Sequence, residues 1–307
     1  MAVVTDSTAA LPTGAAQRWG LAVVPLDVVI DGERHVEGVD LTPEELVEAL
    51  HAGAKVTTSQ PAPAAFAEVY ERLAAEGATG VVSVHLSGEL SGTVASARSA
   101  AERAPLPVHV VDSRTTSMAL GFAALEAAWS AAGVPAEDRL VAGLPEHATA
   151  WRRVVGRHRT PLPGADEVAA TARARADEAR VWFLVESLEY LRRGGRLSAP
   201  VAALGTVLGL RPLLSLADGR VVVAEKIRTR RAARERLEAV AAEAMVGRSA
   251  VRLAVHHLGQ ADLAAEVAAR LVEVGGAHVR EAVVADAGAV LGAHAGPGML
   301  AVVVSGS

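Results

Sequence analysis

The sequence predicts an α/β protein of two α/β domains, the first on a mostly parallel, doubly wound sheet and the second on a mixed, partly antiparallel one. Three observations carry that reading. The first half alternates short apolar strand runs with helical segments, the pattern of crossover-connected parallel strands. Hydroxyl-rich loops recur where those strands end. The second half holds an Asp218-Gly219 pair between two apolar runs, the signature of an antiparallel hairpin.

The strand candidates of the first half are 2–5, 22–30, 81–86 and 108–111, and the helix candidates 12–19, 43–52, 62–76, 92–103 and 117–132. The helix at 43 is the best marked. Thr42 suits the N-cap, Pro43 the first helical position, and Glu45 completes a capping box. Residues 133–163, with four prolines, two histidines and five arginines, lack periodicity and read as an inserted excursion or loop. Arg152, Arg153, Arg157, His158 and Arg159 within it fit a solvated basic loop better than a binding arm.

A helix at 165–178 and a strand at 181–185 restart the pattern, so the domains are expected at 1–164 and 165–307. A short helix from Ser187 to Arg193 stops at Gly194-Gly195. Residues 197–210 are apolar on all sides and rich in Ala and Gly, fitting either plain core or the wall of an apolar tunnel. After the hairpin (213–216 and 220–224) come helices at 229–245 and 261–274, strands at 250–256 and 278–284, a Gly/Pro-rich turn at 286–298, and a last strand at 300–304.

Composition narrows the function classes. The chain has 307 residues, 51% hydrophobic and 21% charged, enough for a sizeable core. Aromatics at 3% argue against a stacking groove for single-stranded nucleic acid, and a net charge of −5 gives no general pull toward polyanions. The absence of cysteine removes disulfides, thiolate metal sites and a cysteine nucleophile, and fits a cytoplasmic protein. The first residues read as a strand and not as a signal peptide, and no apolar run reaches about 18 residues, so membrane insertion is not expected.

The stretch Ser87-Gly88-Glu89-Leu90-Ser91-Gly92-Thr93 joins a buried-looking strand to a helix. Such a loop sets backbone N–H groups and hydroxyls at a helix N-terminus, where they hold a carboxylate or phosphate or simply cap the helix. Thr5-Asp6-Ser7-Thr8, Asp112-Ser113-Arg114-Thr115-Thr116 and Thr57-Thr58-Ser59-Gln60-Pro61 share that chemistry. In open α/β sheets ligands collect beyond the carboxyl ends of the strands, so the recurrence favours a site. His294, framed by Gly296-Pro297-Gly298, suits a donor to an anion or an ordinary surface position. Residues 180–236 carry twelve Arg or Lys against five Asp or Glu. Arg192, Arg193 and Arg196 surround the Gly-Gly turn, and Arg211, Lys226 and Arg228 lie near the hairpin. Such a face suits a phosphate or an acidic partner. No nucleophile elbow, P-loop or dinucleotide fingerprint is present, His256 and His257 are too close in sequence for a helical zinc pair, and no acid–base pair stands out.

Thr5-Asp6-Ser7, Thr57-Thr58-Ser59-Gln60-Pro61, Leu90-Ser91-Gly92-Thr93, Val111-Asp112-Ser113-Arg114, Leu188 through Arg196, Glu225-Lys226-Ile227-Arg228-Thr229 and His294-Ala295-Gly296-Pro297-Gly298 occur in that order along nearly the whole chain. Together they resemble the DegV family of bacterial fatty-acid-binding proteins. The resemblance implies two α/β domains with a long-chain fatty acid buried between them. The carboxylate would meet Thr58 and Ser91, with Gly92 and Thr93 in the same loop and His294 alongside. Ser7, Ser113, Arg192, Arg193, Arg196, Lys226 and Arg228 are then secondary candidates for a phosphate or a partner. It also implies a carrier that presents the acid to a separate fatty acid kinase, which makes an acyl phosphate for phospholipid synthesis, with no cofactor of its own. The segment 134–163 is longer and more irregular than the family's usual link. The competing expectation is an enzyme acting on a small phosphorylated or carboxylated metabolite in the same loops, followed by a regulatory binding module.

Overall fold

The computed structural model describes residues 1–134, 139, 162–197 and 211–306. The apolar segment 197–210 lies outside them apart from Leu197, and most of 133–163 does too. Contacts divide the chain into two units, one of residues 1–24 and 60–178, the other of 25–59 and 179–306. The sequence predicts a single division, after residue 164. The structure places residues 25–59 in the second unit and the helix Ala165–Glu178 in the first.

The first unit is built on four parallel strands, β1 (Ala2–Asp6), β2 (Leu21–Val24), β6 (Val81–His85) and β7 (Val108–Asp112), in the order β2-β1-β6-β7. Between them run α1 (Ala15–Trp19), α3 (Pro63–Ala75) and α4 (Thr93–Ala101), and α5 (Ser117–Ala131) follows β7. One face of β1 is packed through Val4 against Phe66, Tyr70 and Leu73 of α3 and Ala97 and Ala100 of α4. The other face meets α5, buried from Ser117 through Trp129 because it is apolar nearly all round. A further helix, α6 (Ala165–Glu178), covers α5, and the buried Glu126 of α5 pairs with Arg139 and, at 3.5 Å, with Arg175 of α6. That burial is why α6 belongs with the first unit.

The second unit carries two sheets. β3 (Asp27–Ile30), β4 (Glu33–Val36) and β5 (Val56–Ser59) form a small antiparallel sheet in the order β4-β3-β5, with α2 (Pro43–His51) between β4 and β5. The expected single strand 22–30 is therefore two strands. Pro25 has no N–H for a ladder, and the chain leaves the parallel sheet there. β3 turns into β4 at Asp31-Gly32, both at positive φ (50° and 96°), as a two-residue hairpin requires. Thr57–Ser59, expected to open a helix, lie in β5 instead, and α3 starts at Pro63. The capping box of α2 forms as the sequence predicts, with Thr42 N–H donating to Glu45 at 2.8 Å and Glu45 N–H to Thr42 Oγ1 at 3.2 Å.

The larger sheet has the order β10-β9-β8-β13-β11-β12, from β8 (Arg180–Leu184), β9 (Leu213–Ala217), β10 (Arg220–Glu225), β11 (Val251–His257), β12 (Val279–Asp286) and β13 (Leu300–Gly306). Only β11 and β12 pair in parallel, so the sheet is mixed, as expected. The predicted hairpin closes through Asp218-Gly219 between paired Ala217 and Arg220. Two helices, α8 (Arg230–Met245) and α9 (Ala261–Gly275), cover the sheet with Leu237, Val240, Val267 and Leu271. α7 (Glu189–Arg193) ends at Gly194, and the expected turn at 286–298 contains a helix, α10 (Ala289–Ala295). Small residues allow it: a Cβ on Gly292 would fall 2.8 Å from Leu46 and 2.9 Å from Leu258. Among the described residues no helix is long and apolar enough to cross a membrane, and no cluster of His, Asp and Glu could hold a metal ion.

Candidate functional site

Within the second unit, β5 and α10 bring Thr58 and His294 together. Thr58 sits mid-strand, paired with Val28 of β3. His294 is in the last turn of α10, not in a free turn as expected, and its Nε2 lies 2.7 Å from Thr58 Oγ1. The ring is partly buried; its Nδ1 is fully buried and has no hydrogen-bond partner among the described residues. Burial, then the nearby Arg196 charge, lowers the imidazole pKa to about 4. The histidine is therefore neutral at physiological pH, and among the described residues it has no carboxylate partner that would make it a strong base.

Glycines close the wall behind the ring. A Cβ at Gly194 would fall 2.2 Å from His294 Nδ1, and one at Gly296 would fall 2.3 Å from the Tyr190 ring. Gly296 also has φ +80°, a conformation that L side chains rarely adopt. The Arg196 guanidinium donates to Gly194 O, and burial lowers its own pKa. Arg192 and Arg193, by contrast, are exposed and paired with Glu189 at 2.6 and 2.8 Å. Hydrogen bonds from these two arginines hold the Glu189 carboxyl down at about 2. Lys226 and Arg228 are exposed on the segment after β10.

Within the first unit, the Ser91-Gly92-Thr93 loop opens α4. Ser91 Oγ lies 2.8 Å from Thr93 Oγ1, and neither Ser91 nor Thr93 is the N-cap; that residue is Gly92, with no side chain to cap. A Cβ at Gly92 would fall 1.8 Å from Gln60 Oε1, and Gln60 Nε2 reaches Ser96 Oγ at 3.3 Å. The loop is tied to the one after β7, with Ser87 N–H donating to Thr115 O and Gly88 N–H to Asp112. Ser113 is buried, and its hydroxyl accepts from Thr115 N–H at 3.3 Å in its own turn. Ser7 begins a 3-10 turn capped by Asp6.

A polar chain that the sequence does not announce runs inside this unit. Asp6 accepts from His85 Nδ1 and from Leu86 N–H, both at 3.0 Å. His85 Nε2 lies 2.6 Å from Ser83 Oγ, which lies 2.9 Å from Tyr70 OH. All four side chains are sealed from solvent, so this Asp–His–Ser arrangement pins α3 to the sheet without offering a nucleophile to a substrate. Its signal was present: Ser83 and His85 are two polar residues on one face of an otherwise apolar strand.

Comparison with known proteins adds a family and solved relatives. The family model described as "Uncharacterised protein, DegV family" matches residues 1–140 and 164–306. A DegV domain-containing protein of Streptomyces coelicolor is 44% identical over 306 residues, covering 99% of this chain and 98% of its own. The solved structure of a DegV family protein from Thermus thermophilus, described by its fatty acid binding, has 34% identity and a TM-score of 0.81, covering 100% of this chain and 99% of that one. Bacillus subtilis DegV, described as a fatty acid binding protein, has 29% identity and the same TM-score and coverage.

Proposed function

The chain belongs to the DegV family, and we propose that it binds a long-chain fatty acid whose carboxylate is held at Thr58 and His294. The observation that carries this reading is the Thr58–His294 pair. A neutral imidazole that donates Nε2–H to Thr58 Oγ1 leaves the threonine proton for an acceptor beyond it. A carboxylate leaving water needs such donors, because an unpartnered buried charge is strongly disfavoured. Ser91, Gly92 and Thr93, in the first unit, are proposed as further donors to the same carboxylate. The solved relatives from Thermus thermophilus and Bacillus subtilis, both described as binding fatty acids, support the ligand class.

The same reading makes the protein a carrier that presents the bound carboxylate to a separate fatty acid kinase for acyl-phosphate formation. What supports it is the family resemblance, together with the exposed cations Arg192, Arg193, Lys226 and Arg228, which suit an acidic partner surface. The alternative, an enzyme acting on a small metabolite, draws no support from His294, whose Nδ1 has no hydrogen-bond partner among the described residues, or from the sealed Asp6–His85–Ser83 chain.

Titrating the full chain with a fluorescent long-chain fatty acid tests the binding claim. Ser91→Ala weakens binding by about 1–3 kcal/mol if its hydroxyl donates to a buried carboxylate. Unchanged affinity removes Ser91 from the site.

A further inference from the structure

We propose that Glu37 is the positioning residue for His294, fixing the helix that carries it from a segment far away in sequence. The inference rests on the reading of His294 as a head-group ligand. Helix α10 begins at Gly288, which has no side chain to cap it. Its first turn is capped instead by Glu37, whose Oε1 accepts from Val290 N–H at 2.8 Å in a buried bond spanning 253 residues of sequence. A carboxylate accepting from a buried backbone N–H is among the stronger hydrogen bonds available to a helix end. Val290 stands one turn before His294, so the two share a helix face.

The local geometry is built for that contact. A Cβ at Gly288 would fall 2.6 Å from Glu37 Oε1, so only glycine leaves room for the carboxylate. Gly288 also has φ +82°. Glu37 follows directly on β4, and its own N–H donates to Leu26 O at 3.0 Å. Thr58 is on β5 of the same small sheet. That sheet therefore grips α10 at both ends: Glu37 holds the first turn and Thr58 holds His294 in the last. Registry of the imidazole against Thr58 depends on both.

The test compares Glu37→Gln, which keeps an acceptor oxygen, with Glu37→Ala, in the full-length protein. Two readouts are taken below the unfolding transition: fatty acid affinity, and the ring ¹⁵N shifts of His294 in ligand-free protein, which report its tautomer and hydrogen bond. The expected result is a fall in affinity of about tenfold or more for Glu37→Ala with altered His294 shifts, and near wild-type values for Glu37→Gln. Gly288→Ala, which keeps Glu37 but denies it the contact, reproduces the alanine phenotype and serves if Glu37→Ala does not fold. Altered His294 shifts in a protein that binds no fatty acid support the positioning role while sinking the ligand assignment. Unchanged shifts and affinity in folded Glu37→Ala, or equal losses in both Glu37 variants, overturn the proposal.

Discussion

Thr58 Oγ1 lies 2.7 Å from His294 Nε2, joining a strand and a helix 236 residues apart in sequence. Thr58→Val keeps the shape of the side chain and removes the hydroxyl, leaving the imidazole nitrogen without that partner. Fatty acid affinity is expected to fall by about 1–3 kcal/mol, read by titration, while the unfolding midpoint moves little because Thr58 is only partly buried. Wild-type affinity in the valine variant removes Thr58 from the head-group contacts.

Two histidines contribute to the acid limb of stability. Burial, then Arg196, lowers His294 to about 4, and burial first lowers His256 to about 4. The unfolded chain takes up these protons near pH 6.5, and the folded chain does so only near pH 4. Stability from each group is therefore complete above about pH 6.5 and is lost as pH falls toward 4, by up to about 1.4 kcal/mol per pH unit. Urea unfolding at pH 7.5, 6 and 5 checks this. His294→Gln is expected to flatten the slope and His256→Asn to flatten it again; slopes identical to wild type in both variants contradict the assignment.

Gly194 and Gly195 make a controlled pair. Gly194 has ordinary helical dihedrals (φ −69°, ψ −12°), so alanine there brings no backbone strain, only a Cβ 2.2 Å from His294 Nδ1. Gly195 has open space but φ +72°. Gly194→Ala should displace the imidazole and weaken fatty acid binding by about tenfold, the size of one lost hydrogen bond to a charged group. Gly195→Ala should cost about 1–2 kcal/mol of stability with affinity intact. The reverse pattern would place the Gly-Gly turn away from the ligand.

The sealed chain in the first unit makes a stability prediction. Tyr70 is buried, and desolvation pushes its phenol up to about 12. Tyr70→Phe removes one end of the chain while Ser83 keeps His85, at a cost of about 1 kcal/mol. Asp6→Ala leaves His85, Leu86 N–H and Thr8 without their shared acceptor and is expected to cost about 3 kcal/mol or more. Denaturant midpoints separate the two, and equal small effects would deny the chain a structural role.

Local chemistry carried most of the fold into the sequence. The capping box at Thr42 and the Asp218-Gly219 hairpin were legible because the residues that decide them are adjacent. The same Asp-Gly signal at Asp31-Gly32 was present, yet a long apolar run across Pro25 hid the break, merging β2 with β3 and leaving β4 unread. α10 is hidden in the sequence because Gly288, Gly292 and Gly296 look like turn residues, and only the close approach of Glu37 to the first, Leu46 and Leu258 to the second and Tyr190 to the third explains them as packing. Thr58 and His294, which the structure joins, both stand out in the sequence through the family's ordered motifs. Glu37 does not, because a cap supplied from 253 residues away leaves no local pattern.

The most direct measurement is mass spectrometry of the lipid extracted from denatured protein after purification from bacterial cells. A long-chain fatty acid is expected in an amount comparable to the protein, and sharply less from a Thr58→Val, His294→Gln double variant. Extracts free of fatty acid across several lipid-rich preparations, or equal amounts from wild type and variant, would contradict carboxylate binding at Thr58 and His294.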